Sequence, residues 1–479
     1  MEMNMKKIYI TLMIPVLLFT LNCCESFVEG WDESPNSPTS ATPALLLSNA
    51  QVSTFAAFTG QTARTTAILM QHCTGTNDQM FNVIQNYNIT ETDITNEWQH
   101  LYESCMHSSK VIMRDYAEGH PYYTGMARVL MAMNLGLTTD CWGDAPYTEA
   151  FEGLQGEAYY HPHFDSQESL LNTIQTLLDE AISELSQAAG DNQIMPGTDD
   201  LIFGGDTDQW IRIAWVLKAR YALRLAKRNE TQAATNALSY LTSAYNAGFA
   251  GPDNDCMADF GGSGNDQNQW WAFEINRGGY MRMNEFFVDL LKQKSDPRLS
   301  YLVGRTTNTN PDSLYLGAPM GSTDPSIYSY VGSFYGSVNS SLPLVTFAEA
   351  KFIEAEAQFR LGAAGEAADA FNEAVVVAVE KVTGAAIPPA YEAAEANEND
   401  VSITLEKIMV QKYLAMFTQP EVWSDWRRTG FPAIQPYAGA TGINQIPRRF
   451  PLEQSERINN LNAPDPVPIN TPVWWDRTD

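Results

Sequence analysis

Basic side chains are scarce in this sequence: 29 Lys and Arg stand against 57 Asp and Glu, for a formal net charge of −28. Phosphate binding needs a cationic surface, so this balance argues against nucleic acid as a partner and against a face for anionic lipid headgroups. Cysteine is sparse too. Beyond the adjacent Cys23 and Cys24, only Cys73, Cys105, Cys141 and Cys256 occur, too few in 479 residues for a disulfide scaffold. Four cysteines allow three pairings, among which the sequence does not choose, and buried thiols are the simplest reading. Without a C-x-x-C, neither zinc nor thioredoxin chemistry is suggested.

No apolar run is long enough to span a bilayer. Ile8 to Leu21 gives about 21 Å of helix against roughly 30 Å of hydrocarbon. Preceded by Lys6 and Lys7, this run has the order of a secretory leader, so residues 1–23 are expected to be a signal peptide. Leu21 stands three residues before Cys24 with no A-x-A site nearby, the pattern of a bacterial lipoprotein signal. Cys24 is therefore the expected lipidation site, because several acyl chains at about 0.8 kcal/mol per buried methylene anchor stably. The following residues, to about 42, are rich in Pro, Ser, Asp and Asn, the composition of an extended tether.

Catalytic signatures are missing as well. There is no H-E-x-x-H, G-x-S-x-G, P-loop or G-x-G-x-x-G, and all six histidines precede residue 164. Carboxylate pairs are abundant, but a glycosidase is defined by their separation, which sequence does not supply. Asp206 with Asp208, and Asp253 with Asp255, resemble fragments of calcium loops yet lack the EF-hand Gly and closing Glu, so Asx turns and helix caps account for them. No metal and no cofactor is expected.

What the sequence does contain is helical periodicity. Apolar residues recur at three- and four-residue intervals over 95–118, again after Pro121, and over 165–190, where Asp165 and Glu168 form a candidate cap pair. Residues 206–229 continue the pattern, with Arg and Lys gathering at the end the helix dipole favours. Between 346 and 381, Thr346 with Glu349 reads as a capping box, Leu361-Gly362 as a turn, and Ala367 with Phe371 as the A-x3-F of a tetratricopeptide second helix. The fold class expected is all-α dominated: a tetratricopeptide-like helical repeat scaffold.

Residues 249–345 differ in texture. They are Gly-, Asn- and Ser-rich, carry interspersed aromatics and one short helical pattern at 283–293, and read as a long loop-rich ligand-binding region on the scaffold. Flat aromatic faces stack on the CH-rich surfaces of pyranoses while amides and carboxylates take the hydroxyls, so this mixture points to saccharide binding. The candidate ligand residues are Trp270, Trp271, Tyr280 and Tyr315, with Asn86 and Tyr87 from the polar-aromatic segment NVIQNYN.

Several blocks, in order along almost the whole chain, carry a family resemblance: NSPTSATPALLLSNAQ (36–51), DCWGDAPYTEAF (140–151), DTDQWIRIAWVLKARYALRLAK (206–227), FAEAKFIEAEAQFRLG (347–362), QKYLAMFTQPEVWSDWRRTGFP (411–432) and IPRRFPLEQSERINN (446–460). The chain resembles the SusD/RagB group of nutrient-binding outer-membrane lipoproteins. That resemblance implies four tetratricopeptide-like helix pairs in a single domain (43–479), anchorage to the outer membrane at the cell surface through the acylated cysteine, and a role as the lid of a SusC-like TonB-dependent transporter. It also implies capture of oligosaccharide or, in some members, oligopeptide, without catalysis. A helical scaffold organising surface enzymes is the alternative from another class. In EVWSDWRRTG, Trp423, Asp425, Trp426, Arg427 and Arg428 are expected to lock the last helices, as are Arg448 and Arg449.

Overall fold

The computed structural model describes residues 41–307 and 314–478. Cys24, the leader and all but the last two residues of the tether lie outside them. The chain is helix-dominated, as the periodicity predicts. Its long helices are α1 (Pro43–Thr59), α2 (Gln61–Leu69), α3 (His107–Asp115), α4 (Pro121–Trp142), α5 (Gln167–Leu185), α6 (Thr207–Leu223), α7 (Glu230–Asn246), α8 (Gln269–Asn276), α9 (Glu285–Gln293), α10 (Phe347–Arg360), α11 (Ala364–Thr383), α12 (Leu405–Ala415) and α13 (Glu421–Thr429). Successive helices pack in pairs: α4 on α5, α6 on α7 and α10 on α11, while α5 also meets α6 and α7 meets α10. This is the tetratricopeptide-like stacking expected.

Side-chain caps set the helix starts. Asp206 accepts from the Asp208 and Gln209 amides at the head of α6, and Thr346 accepts from the Glu349 amide at the head of α10. Two expected caps differ in detail. At α5 the N-cap is Ser166, while Asp165 turns away to accept from the Tyr147 and Thr148 amides and the Thr148 hydroxyl. Glu349 does not close the capping box, because its carboxylate is buried in a two-bond fork with Arg220 of α6.

The helix expected over 95–118 is interrupted. Thr95–Gln99 is α-helical, His100–Met106 widens into π turns, and α3 follows. The wider turns bring Cys105, Met106, Ser108 and Ser109 all inward, which a 3.6-residue period would not do. Close approach of α4 to α6 needs Gly136: a Cβ there would lie 1.9 Å from the Tyr221 hydroxyl.

Three short antiparallel pairs tie distant segments together. Strand β1 (Cys73–Gly75) pairs with β5 (Met281–Met283), β2 (Ala145–Pro146) with β3 (Phe164–Asp165), and β4 (Cys256–Ala258) with β6 (Leu342–Val345). The last pair closes the base of the loop-rich segment, so residues 249–345 leave and rejoin the scaffold at one place, between α7 and α10. Cys73, Cys105, Cys141 and Cys256 are buried free thiols. Among the described residues no helix is long and apolar enough to cross a membrane.

The C-terminal arginines act as the sequence predicts. Arg428 of α13 forks onto Glu356 of α10 and reaches Asp425 at 2.8 Å, and Lys412 of α12 meets Asp425 at 2.7 Å. Burial opposes the Asp425 charge, yet Lys412 and Arg428 hold its carboxyl at about 2. Arg427 lies 3.9 Å from the Trp423 ring centroid and donates to the Asp140 and Arg448 carbonyls, while Arg448 pairs with Asp476 at 2.6 Å and Arg449 donates to the Trp142 carbonyl.

Candidate functional site

The β1–β5 pairing brings the turn after β1 against the turn before β5, and the candidate site is assembled there. Thr76 donates from its amide to the Tyr280 carbonyl and from its hydroxyl to the Gly279 carbonyl, which fixes the two turns to each other. Gly279 has φ +85°, and a Cβ would press on Pro325 at 2.9 Å, so only glycine lets the chain turn into Tyr280 here. Asp78 is held at φ +44°, with its amide bonded to the Asn77 side chain, and its carboxylate accepts from the Tyr280 hydroxyl.

A relay of side chains supports this tyrosine from the scaffold. Arg64 of α2 is nine-tenths buried; it donates to the Gln269 carbonyl at 3.3 Å and lies 4.4 Å from the Phe273 ring centroid. Phe273 meets Tyr280 edge to face at 6.2 Å, and the Arg277 guanidinium lies 5.6 Å from the Tyr280 centroid. Burial lowers Arg64 to about 10 although Glu97 opposes it, and burial raises Glu97 to about 7 against the pull of Arg64. Arg282 of β5 bonds the Pro325 carbonyl and both Glu274 oxygens, tying the loop after β5 to α8. The outcome is a platform with a half-exposed aromatic ring, a carboxylate and a guanidinium: one stacking surface with an acceptor and a donor beside it.

Of the six residues singled out from sequence, Tyr280 is at this centre. Trp271 is half-exposed on α8, one turn before the exposed Ile275, and Tyr315 is half-buried against the core. The other three have structural surroundings. Trp270 is 3% exposed, with its ring 5.6 Å from that of Phe417. Tyr87 is 2% exposed and its hydroxyl accepts from the Tyr437 amide; Asn86 bonds the Phe81 carbonyl through its side chain and accepts from the Gly442 amide through its own carbonyl. Alternation explains the tryptophans, since adjacent helical residues face about 100° apart and α8 buries one while showing the other. Asp78 and Arg277 escaped the sequence reading; the signal that could have found them is Asn77-Asp78 and Arg277-Gly-Gly-Tyr280, two turn-forming stretches carrying charge.

Among the described residues no group of three His, Cys, Asp or Glu side chains is arranged to hold a metal ion. His163 is an exposed loop residue paired with Glu149, and His72, missed from sequence, is a core residue stacked 4.1 Å from Tyr413 with burial lowering it to about 3.

Stacked helix pairs with an aromatic platform carried on their loops define a helical-repeat scaffold protein. The family is also shown: the SusD-like model described as "Starch-binding associating with outer membrane" matches residues 35–452, and the chain belongs to that family. Solved structures share the fold. A SusD/RagB family protein from Bacteroides thetaiotaomicron is 23% identical with a TM-score of 0.75, covering 91% of this chain and 99% of its own. A chitin-binding protein is 21% identical with a TM-score of 0.76, covering 91% and 100%. A chitin-binding SusD homologue from Flavobacterium johnsoniae is 22% identical with a TM-score of 0.72, covering 91% and 98%. No curated protein matches the chain.

Proposed function

We propose that this protein is a cell-surface lipoprotein, acylated at Cys24, that captures oligosaccharide and delivers it to a SusC-like TonB-dependent outer-membrane transporter without catalysing any reaction. In this reading residues 1–23 are a leader, 24–42 a tether and 43–479 the binding body. The observation that carries it is the family match over residues 35–452, whose description joins starch binding to outer-membrane association. The Tyr280 platform supports it, because a tyrosine ring flanked by Asp78 and Arg277 supplies the stacking face and hydrogen-bonding groups a sugar needs. Trp271 and Tyr315 are proposed as further contacts.

Titration calorimetry with maltohexaose, N-acetylchitohexaose and a tetrapeptide panel tests the cargo. Saturable heat with at least one oligosaccharide, reduced about ten-fold in affinity by Tyr280→Ala, is expected. Heat with peptides alone would reassign the cargo, and no binding together with no co-purifying transporter would sink the reading. Mass spectrometry of the membrane-extracted protein is expected to show acylation at Cys24; an unmodified terminus or acylation at Cys23 contradicts it.

A further inference from the structure

A second concavity lies away from the platform. Between α1 and the turn that precedes α8 is a cleft of ≈ 700 Å³, within the size range of small-ligand sites. Its apolar side is Val52, Phe55 and Ala56 of α1 together with Phe260, whose ring meets that of Phe55 at 6.4 Å and 63°. The polar lining is Asp259, Ser263, Asn265, Gln267 and Gln269. Among the described residues none of those five side chains has a hydrogen-bond partner in the protein.

The wall that carries them is fixed. Asp266 accepts the Gly261 amide on its carboxylate, Gly262 and Asp266 bond through their backbones, and buried Asn268 ties the end of the turn to the Ser340 carbonyl while capping α8. Free polar side chains on a stapled turn that also carries the Phe260 ring form a preorganised set of donors and acceptors. A cleft of about 560 Å³ beside α12 makes the contrast: there Lys294 is tied to Glu395 at 2.6 Å and Lys407 to Glu398 at 2.8 Å, so both of its lysines already have carboxylate partners.

The lining also fixes the sign of the ligand. Asp259 and Asp266 contribute carboxylates and, among the described residues, no Lys, Arg or His lines the cleft, so an anionic ligand would meet only like charge there. Amide donors and acceptors around Phe260 suit hydroxyls arrayed about a CH-rich ring face. We propose that this cleft is a second carbohydrate site, separate from the Tyr280 platform, which takes uncharged saccharide and rejects uronate. The proposal rests on the oligosaccharide reading of the platform.

Titration of Tyr280→Ala with maltohexaose and N-acetylchitohexaose, with hexagalacturonate as the anionic probe, separates the two. In this background residual binding of a neutral hexaose is expected, weakened about five- to ten-fold further by Phe260→Ala. Gln267→Ala combined with Gln269→Ala, both at the surface, is expected to weaken it similarly and serves if Phe260→Ala fails to fold. Loss of all heat in Tyr280→Ala overturns the second site while leaving the platform standing. Residual binding that the cleft variants do not weaken overturns it equally, as does binding of hexagalacturonate that Phe260→Ala removes, or a basic peptide that competes there in place of sugar. If the unmutated protein binds no hexaose, both proposals fall.

Discussion

The C-terminal lock and the loop face handle polar groups in opposite ways. Around α10, α12 and α13, Glu356, Lys412, Asp425 and Arg428 are buried and joined in one network, and Arg448 closes on Asp476. Around α8 and its preceding turn, charged and amide side chains stand half-exposed, several with no partner in the protein. A network with its charges already compensated has nothing to offer a ligand, and removing one member leaves the others stranded. Uncompensated groups cost little in water and gain when a ligand displaces that water. Two sets of polar residues in one chain are thus separated by burial into a compensated lock and the solvent-facing groups proposed here for recognition.

The largest effect should come from breaking the lock. Arg428→Ala is expected to destabilise by about 3–5 kcal/mol in urea unfolding, because Glu356 is left buried with less compensation, and to leave ligand affinity unchanged where the protein remains folded. Trp270→Ala should cost a similar 3–5 kcal/mol, whereas Trp271→Ala should change stability by less than about 1 kcal/mol. Equal effects from the two adjacent tryptophans would erase the distinction between the inner and outer faces of α8.

Glu97 gives a pH test of the support beneath the platform. Its carboxyl is raised to about 7 in the folded protein from an ordinary value of 4.5, so the folded state holds a proton that the unfolded chain has released. Stability from this group is therefore greatest below pH 4.5 and falls as pH rises towards 7. Between pH 5 and 8, Glu97→Gln is expected to lose about 1–3 kcal/mol less than the unmutated protein, read from paired denaturant curves. The smallest effect is expected from Tyr280→Phe: loss of the Asp78 hydrogen bond with the ring retained should weaken saccharide binding only about three-fold.

Much of the scaffold was legible beforehand. The apolar stripes of α4, α5 and α6 and the α10–α11 hairpin follow from spacing, since a helix that buries one face repeats every three to four residues whatever it packs against. The Arg-Arg pair in α13 was legible too, because acids and aromatics close in sequence left it an intramolecular role. The site was less so. Trp270, Tyr87 and Asn86 stand out in the sequence by residue type, but type does not say which way a side chain points; helical phase at α8 and a tight turn with φ +51° at Tyr87 decide that. Asp78 and Tyr280 are 202 residues apart and meet only because β1 pairs with β5, a long-range register that no local pattern announces.

The four buried thiols turn the molecule into its own opening gauge. Only thiolate reacts with alkylating reagents, and burial pushes Cys105 up to about 12 and raises Cys73, Cys141 and Cys256 as well. Each is silent until its own neighbourhood opens: Cys73 on β1 beneath the platform, Cys256 at the base of the loop-rich segment, Cys105 in the π turns and Cys141 near the end of α4. Labelling rates resolved by peptide mass would rank the local stabilities of four regions in one unmutated sample, and saccharide should slow Cys73 before it slows Cys141.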